Sequence, residues 1–270
     1  MKTYADTLDD QIRVVTHLRS FMSSPYEQRL VDNIARADSY FLTDDFAALT
    51  FAAANQLPRG TLVEIEDFPS PIGWVSLERG ITPMFGGAWV DDEDVWHETN
   101  DSVEGPPIDS FFWWVHEDKE HGGQAWRLFP FSDRADLATY PPETLYFDRS
   151  QDSTAERFIK AFFLLTSQKT ISETSMEPAP RAFRKRAERA HVRPEVRVIR
   201  LPRRVRGSAG EPRSVDWQSR WIVSGHWRQQ PWGPERKRIR PVWIAPYLKG
   251  PEDKPLVAPA HRLFVASAPE

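Results

Sequence analysis

The fold is decided by two strand-like stretches, Phe111-Phe-Trp-Trp-Val-His116 and Gln124-Ala-Trp-Arg-Leu-Phe-Pro-Phe131. Both are rich in aromatic residues, which favour strands, and a turn at Gly122-Gly123 separates them. A connection this short joins antiparallel strands. Two further strands are predicted before them, at residues 61–68, which alternate polar and apolar residues, and at Gly73-Trp-Val-Ser-Leu77. The centre of the chain therefore predicts an antiparallel sheet.

Helices are predicted on both sides of this sheet in the sequence. Apolar residues recur at helical spacing in three stretches within residues 5–55 and again within residues 154–168. The polar, Pro-containing residues 172–180 then indicate a boundary. We predict an α+β fold: residues 1–175 form N-terminal helices with an antiparallel sheet, and residues 176–270 form a basic domain built on a twisted β-hairpin.

The net charge of −4 conceals a strong asymmetry along the chain. Residues 181–250 contain 19 Lys and Arg against 5 Asp and Glu, a net charge of +14. The other 200 residues contain 16 against 34, a net charge of −18. Such an asymmetry indicates an anionic partner for the basic part. The alternative is that the basic part packs on the protein's own acidic part, and the two interpretations are compatible.

Several function classes are excluded or disfavoured by the composition. Cysteine is absent, which excludes disulfide frameworks, thiolate zinc sites and cysteine nucleophiles. No stretch has the roughly 20 apolar residues of a membrane-spanning helix, and the first residues lack a signal-peptide core, so we expect a cytoplasmic protein with no membrane partner. The sequence has no phosphate-binding glycine loop, nucleophile elbow or His-Glu-x-x-His motif. We expect no cofactor and no metal, and a non-enzymatic function is favoured.

A basic helix followed by a strand is the first candidate site. Residues 181–190 are a short helix with Arg and Lys around most of its circumference, and residues 195–201 are a strand with alternating Arg. Arginine suits bidentate phosphate recognition, and we expect Arg184, Arg186 and Arg189 to hold phosphates. The cations of this segment are Arg181, Arg184, Lys185, Arg186, Arg189, Arg193, Arg197 and Arg200.

A C-terminal hairpin is the second candidate site, with arms near residues 221–228 and 238–247. Aromatic rings interleaved with cations suit stacking on unpaired bases, which is typical of proteins that bind single-stranded RNA. Gly225 indicates a close backbone approach or a bulge. The alternative is that the Trp residues are core and that the single His is structural. The predicted contacts are phosphates for Arg220, Arg228 and Arg236, and bases or a recognised peptide for His226, Trp227 and Trp232, with Trp243 in the same hairpin.

The same C-terminal residues resemble a family of phage and mobile-element proteins. The resemblance is carried by Arg220-Trp-Ile-Val-Ser-Gly-His-Trp-Arg228, by Trp232 and by Arg240-Pro-Val-Trp-Ile-Ala-Pro-Tyr247, and it covers residues 215–255. The best-known member of the family is a type V-A anti-CRISPR protein, which blocks production of the CRISPR effector nuclease by recognising its emerging N-terminal peptide and causing loss of its message. The resemblance implies that Gly225, His226 and Trp227 lie in the family's conserved element. The residues that follow, 228–231, depart from the anti-CRISPR member.

The leading hypothesis is an RNA-binding or translation-associated regulator of phage or mobile-element origin, with anti-CRISPR-like silencing of a target gene. Its expected partners are RNA, including messenger RNA on ribosomes, or a nascent peptide. A ribonuclease or toxin that uses the C-terminal hairpin is one alternative. The other is a protein-interaction module in which the acidic residues 91–120 mimic nucleic acid.

Overall fold

The chain divides into two units, residues 1–202 and residues 203–270. The predicted boundary after residue 175 lies inside a strand of the first unit, residues 173–178, and residues 181–200 add a helix and a second strand to that unit. The computed structural model describes residues 2–20, 22–81, 84–90, 96–104, 108–118, 123–131, 143–202, 221–251 and 254–255.

Five helices and nine strands make up the described part of the first unit. The helices are α1 (Tyr4–Arg19), α2 (Pro25–Arg36), α3 (Asp44–Gln56), α4 (Thr154–Thr166) and α5 (Arg181–Ala190). The strands are β1 (Asp38–Leu42), β2 (Ile72–Ile81), β3 (Met84–Val90), β4 (Trp96–Glu104), β5 (Ile108–Glu117), β6 (Gln124–Phe131), β7 (Glu143–Tyr146), β8 (Glu173–Pro178) and β9 (Glu195–Arg200).

Seven of these strands form one sheet in the order β7-β6-β5-β2-β1-β9-β8. The α+β class is confirmed, and β5 and β6 pair as the predicted antiparallel hairpin. The sheet is nevertheless mixed, since β1 runs parallel to both β2 and β9. The expected helical region 5–55 is interrupted by β1, whose residues 39–42 are buried. Such a run is typical of a parallel strand that is covered on both faces.

Two other sequence predictions need correction. Residues 61–68 do not form a strand: they are irregular and include a 3₁₀ turn at Ile65–Asp67. The Asp67 carboxylate accepts the backbone N–H of Glu64 at 2.9 Å, which caps this turn. The acidic and polar composition of residues 91–109 predicts a loop, but residues 96–104 form β4, which pairs with β3 in a separate two-stranded sheet.

Helices cover both faces of the seven-stranded sheet. On one face α1, α2 and α5 share a core with Phe41, Trp74 and Phe112. On the other face α4 packs its phenylalanines against the sheet, with the Phe111 and Phe158 ring centroids 5.3 Å apart and those of Trp113 and Phe163 5.1 Å apart. Burial of these large rings contributes to the hydrophobic stabilisation of the first unit.

A buried ion pair anchors α4. The Lys160 ammonium lies 2.6 Å from the Glu156 carboxylate, and both side chains are almost completely buried. Lys160 also donates to the Thr61 carbonyl at 2.7 Å and to the Ser150 hydroxyl at 3.0 Å. The other Glu156 oxygen accepts the Gln151 N–H at 2.9 Å. Both charges therefore have the partners that burial demands, and the network ties α4 to the chain before β2.

The described part of the second unit consists of two antiparallel strand pairs. Strands β10 (Trp221–Val223) and β13 (Tyr247–Lys249) form one pair, and β11 (His226–Trp232) and β12 (Arg238–Ile244) form the other. A C-terminal hairpin is thus present as β11–β12, but its first arm is residues 226–232 and not the predicted 221–228, because residues 221–223 pair with β13. Within the described ranges of the chain, no helix has the length and apolar character needed to cross a membrane.

Candidate nucleic-acid interface

The pairing of β11 with β12 sorts the hairpin side chains onto two faces. Seven consecutive pairs run from His226 opposite Ile244 to Trp232 opposite Arg238 without a register shift. Because side chains alternate along a strand and directly paired residues share a face, the register assigns each residue to one side. The cationic face consists of His226, Arg228, Gln230, Trp232, Arg238, Arg240, Val242 and Ile244, and the tryptophan face consists of Trp227, Gln229, Pro231, Ile239, Pro241 and Trp243.

Trp232 is the aromatic centre of the cationic face. Its ring is half-buried, and the guanidinium carbons of Arg238 and Arg240 lie 5.5 and 5.8 Å from the ring centroid. These distances are within the range of cation–π attraction. Arg228 lies on the same face and is exposed. A base stacked on the Trp232 ring would therefore have cations close by for its phosphates.

His226 lies at the other end of the cationic face and is exposed. Its Nδ1 is 3.0 Å from the Ser224 carbonyl oxygen. A carbonyl oxygen only accepts, so Nδ1 is the protonated nitrogen of this hydrogen bond, and the neutral ring presents Nε2 as an acceptor. His226 is the single histidine or carboxylate among the residues of the cationic face. RNA cleavage with a separate general acid and general base would need a second such group.

Trp243, in contrast, is a buried residue of the tryptophan face. Only 3% of its surface is exposed, and its ring meets the Trp227 ring edge-on at a centroid distance of 5.2 Å. A Cβ at Gly225 would lie 2.5 Å from Cζ2 of Trp243, so the predicted close approach at Gly225 is confirmed. Trp243 therefore supports the hairpin, and its buried ring offers no surface for a base.

Carboxylates of the first unit neutralise half of the cations in the basic segment 181–200. Arg186 pairs with Asp9 at 2.6 Å, and Arg200 lies 3.7 Å from Glu177. Asp38 binds two arginines, Arg193 and Arg197, the latter at 3.0 Å. The alternative of basic residues packed on the protein's own acidic residues therefore holds for these four arginines.

The other cations of this segment are all on α5. Arg184 donates through Nε to the Ala179 carbonyl at 2.8 Å. Arg181, Lys185 and Arg189 are exposed. The structure therefore separates the predicted trio of Arg184, Arg186 and Arg189: one bonds to a backbone carbonyl, one to a carboxylate, and one projects from the exposed side of the helix.

Two site residues were missed in the sequence, and the predicted Arg236 lies apart from the cationic face. Arg238 and Arg240 contact Trp232, and the spacing Arg-x-Arg in the arm opposite Trp232 was the signal that could have identified them. Arg236 is exposed in the turn between the strands, in left-handed backbone geometry at φ 55°. Arg220 lies outside the described residues.

The acidic residues 91–120, which carry the hypothesis of a nucleic-acid mimic, are described only in part, as residues 96–104 and 108–118. Within the ranges given for the structure, no group of three or more His, Asp or Glu side chains could hold a metal ion.

Comparison with known proteins gives a distant structural similarity. No family model matches the chain, and no curated protein matches it. Among solved structures, the chain is similar to a crystal structure of AcrVA2, with a TM-score of 0.41 and 13% sequence identity over 90% of this chain and 86% of that chain.

Proposed function

We propose that this protein binds single-stranded or irregular RNA through the cationic face of the β11–β12 hairpin. The observation that carries the proposal is the placement of Trp232 beside Arg238 and Arg240, on the face that also presents Arg228 and His226. An aromatic ring stacks on an unpaired base while neighbouring cations neutralise the phosphates.

The electrostatics of the hairpin support an anionic ligand. Residues 221–251 contain six Lys and Arg and a single acidic residue, Glu235. Glu235 forms an ion pair with Lys237 in the turn, so it neutralises a residue outside the cationic face. From His226 to Trp232 the strand extends over about 20 Å at ~3.3 Å per residue. A face of this length suits a short single-stranded segment, at the lower end of the site sizes of such modules.

RNA is favoured over DNA by the geometry of His226. In the neutral form of this exposed residue, Nε2 is a hydrogen-bond acceptor because Nδ1 donates to the Ser224 carbonyl. A ribose 2′-hydroxyl can donate to such an acceptor, and a deoxyribose cannot.

The finer hypothesis is that RNA binding serves to silence a target gene during translation. It rests on the resemblance of residues 215–255 to the anti-CRISPR family, whose shared element here contains Gly225, His226 and Trp227. Messenger RNA on ribosomes, or the peptide emerging from them, would then be the ligand.

Substitution of Trp232 tests the proposal. We expect Trp232→Ala to weaken binding of a 12-nucleotide single-stranded RNA by about 5- to 150-fold, because stacking contributes ~1–3 kcal/mol per base. Trp232→Phe should retain most of the affinity, since a smaller ring still stacks. Fluorescence anisotropy with an end-labelled RNA measures both variants.

The matched control lies on the opposite face of the same hairpin. Ile239 is 66% exposed on the tryptophan face, so Ile239→Ala removes apolar surface without touching the cationic face. Its RNA affinity should equal that of the unmodified protein. The proposal is wrong if Trp232→Ala, with its circular dichroism unchanged, binds RNA as tightly as Ile239→Ala does.

A further inference from the structure

One side of α5 presents a row of cations. Arg181, Lys185 and Arg189 follow one another at intervals of four residues, so they lie along one exposed side of the helix. From the first to the third, the helix rises about 12 Å at 1.5 Å per residue. We propose that this row, the α5 cation row, is a second nucleic-acid contact that grips the phosphate backbone of base-paired nucleic acid without reading its bases.

The row is distinguished from its neighbours by the absence of internal partners. Arg186 pairs with Asp9, Arg193 and Arg197 both pair with Asp38, and Arg200 pairs with Glu177. For the three residues of the α5 cation row, no hydrogen bond or ion pair is found within the part of the chain that the structure describes. Intramolecular neutralisation therefore accounts for four cations of the segment and leaves these three available to an external anion.

The helix that carries the row is firmly held. Ala187 and Ala190 on its inner side are buried in the core shared with α1. Arg19 of α1 donates to the Ala190 carbonyl at 3.0 Å, and His191 ends the helix in left-handed geometry. Cations on a rigid element keep their spacing, so little conformational entropy is lost at the backbone when a ligand binds.

The electrostatics of α5 itself also favour an anion. No acidic residue lies in its first turn, and its N-cap is Pro180, which provides no side-chain cap. Arg181 is therefore placed at the positive end of the helix dipole, where a cation is unfavourable in the free protein. A phosphate near this end would be attracted by the dipole and by the side chains together.

The chemistry of the row points to the backbone of a duplex. Phe183, the aromatic residue of α5, is half-buried and packs against the core, with the Arg186 guanidinium 5.9 Å from its ring centroid. The row thus offers charge but no stacking platform, unlike Trp232 in the hairpin. Base-paired nucleic acid presents phosphates at high density with its bases turned inward, so contacts to it are largely electrostatic and independent of sequence.

The test removes the row in the full-length protein and measures duplex binding. The variant is Arg181→Gln/Lys185→Gln/Arg189→Gln, since glutamine keeps the helix propensity. The probes are a 20-base-pair duplex DNA and the duplex RNA of the same sequence, titrated across a salt series. We expect the slope of log affinity against log salt to shrink by about 2 to 3 on duplex DNA, at ~0.9 per phosphate contact. The duplex RNA should lose affinity in parallel, by more than tenfold at 0.1 M salt, because phosphate contacts dominate both.

Two further variants distinguish binding by the α5 cation row from an effect of overall charge and from binding by the hairpin. Arg36→Gln/Arg79→Gln/Arg149→Gln removes the same charge from exposed arginines that contact Asn33, Asp44 and the Tyr146 ring, and it should leave the slope nearly unchanged. Trp232→Ala should leave duplex binding intact, which makes this result independent of the hairpin. The proposal is overturned if the row variant keeps the salt slope of the unmodified protein, the result expected when the row binds an acidic protein partner instead. It is also overturned if the charge control loses as much duplex affinity as the row variant.

Discussion

The triple variant Arg228→Gln/Arg238→Gln/Arg240→Gln is expected to bind single-stranded RNA about 100-fold more weakly than the unmodified protein at 0.1 M salt. The estimate follows from a salt slope of ~0.7 per phosphate contact in a single strand. Three lost contacts reduce that slope by about 2. When salt falls tenfold, from 1 M to 0.1 M, the affinity of the variant therefore rises about 100-fold less than that of the unmodified protein. Two of these arginines also flank the Trp232 ring, so the loss includes part of the stacking geometry.

The measurement is an RNA titration at four or more salt concentrations. The control Arg36→Gln/Arg79→Gln/Arg149→Gln lowers the net charge equally and leaves the cationic face intact. At 1 M salt the hairpin variant and the control should converge, since counterion release no longer favours binding. If both triple variants lose affinity equally at 0.1 M salt, the cationic face has no special role and the overall charge governs the binding.

Glu156→Gln is expected to lower the free energy of unfolding of the first unit by about 3–5 kcal/mol. The substitution keeps the shape of the side chain but leaves the Lys160 ammonium without its carboxylate in a nearly solvent-free site. Removal of one partner from a buried ion pair costs this much because the other charge stays buried and uncompensated. Urea unfolding followed by tryptophan fluorescence measures the change.

The exposed pair between Arg200 and Glu177 provides the control. Its atoms are 3.7 Å apart and its side chains are 45% and 36% exposed, so Glu177→Gln should cost less than about 1 kcal/mol. The double variant Glu156→Gln/Lys160→Met should be less destabilised than the sum of its two single variants, because it removes both charges. A Glu156→Gln protein as stable as Glu177→Gln would show that the buried pair does not hold α4 in place.

Local sequence patterns were enough to predict the elements that are close in the chain. The β5–β6 hairpin and the β11–β12 hairpin follow from period-two alternation and turn residues, which act over a few residues. Helix α5 also follows from local composition, and its predicted bounds agree with the structure.

The parts of the fold that depend on pairing between distant residues were not predictable from local sequence patterns. Strand β1 forms because β2 and β9 pair with it on either side, and β9 is more than 150 residues away. The same long-range pairing places residues 195–200, which lie beyond the predicted domain boundary, in the sheet of the first unit. No periodicity within residues 5–55 contains this information.

The candidate site was predictable in composition but only partly in arrangement. The aromatic and basic character of the hairpin was visible, and its register would have placed Arg238 and Arg240 beside Trp232. The sequence did not show which α5 cations pair with a carboxylate. The partner of Arg186 is Asp9, which lies almost 180 residues earlier in the chain.

The binding site itself is tested most directly by ultraviolet crosslinking of the full-length protein to a 12-nucleotide uridine-rich RNA, followed by mass spectrometry of tryptic peptides. We expect nucleotide adducts on the peptide of residues 229–236, with Trp232 as the modified residue, and their loss in Arg238→Gln/Arg240→Gln, which keeps the tryptic sites at Arg228 and Arg236. RNA that binds with full affinity but crosslinks only to peptides of residues 1–202 would show that the hairpin is not the RNA-binding surface.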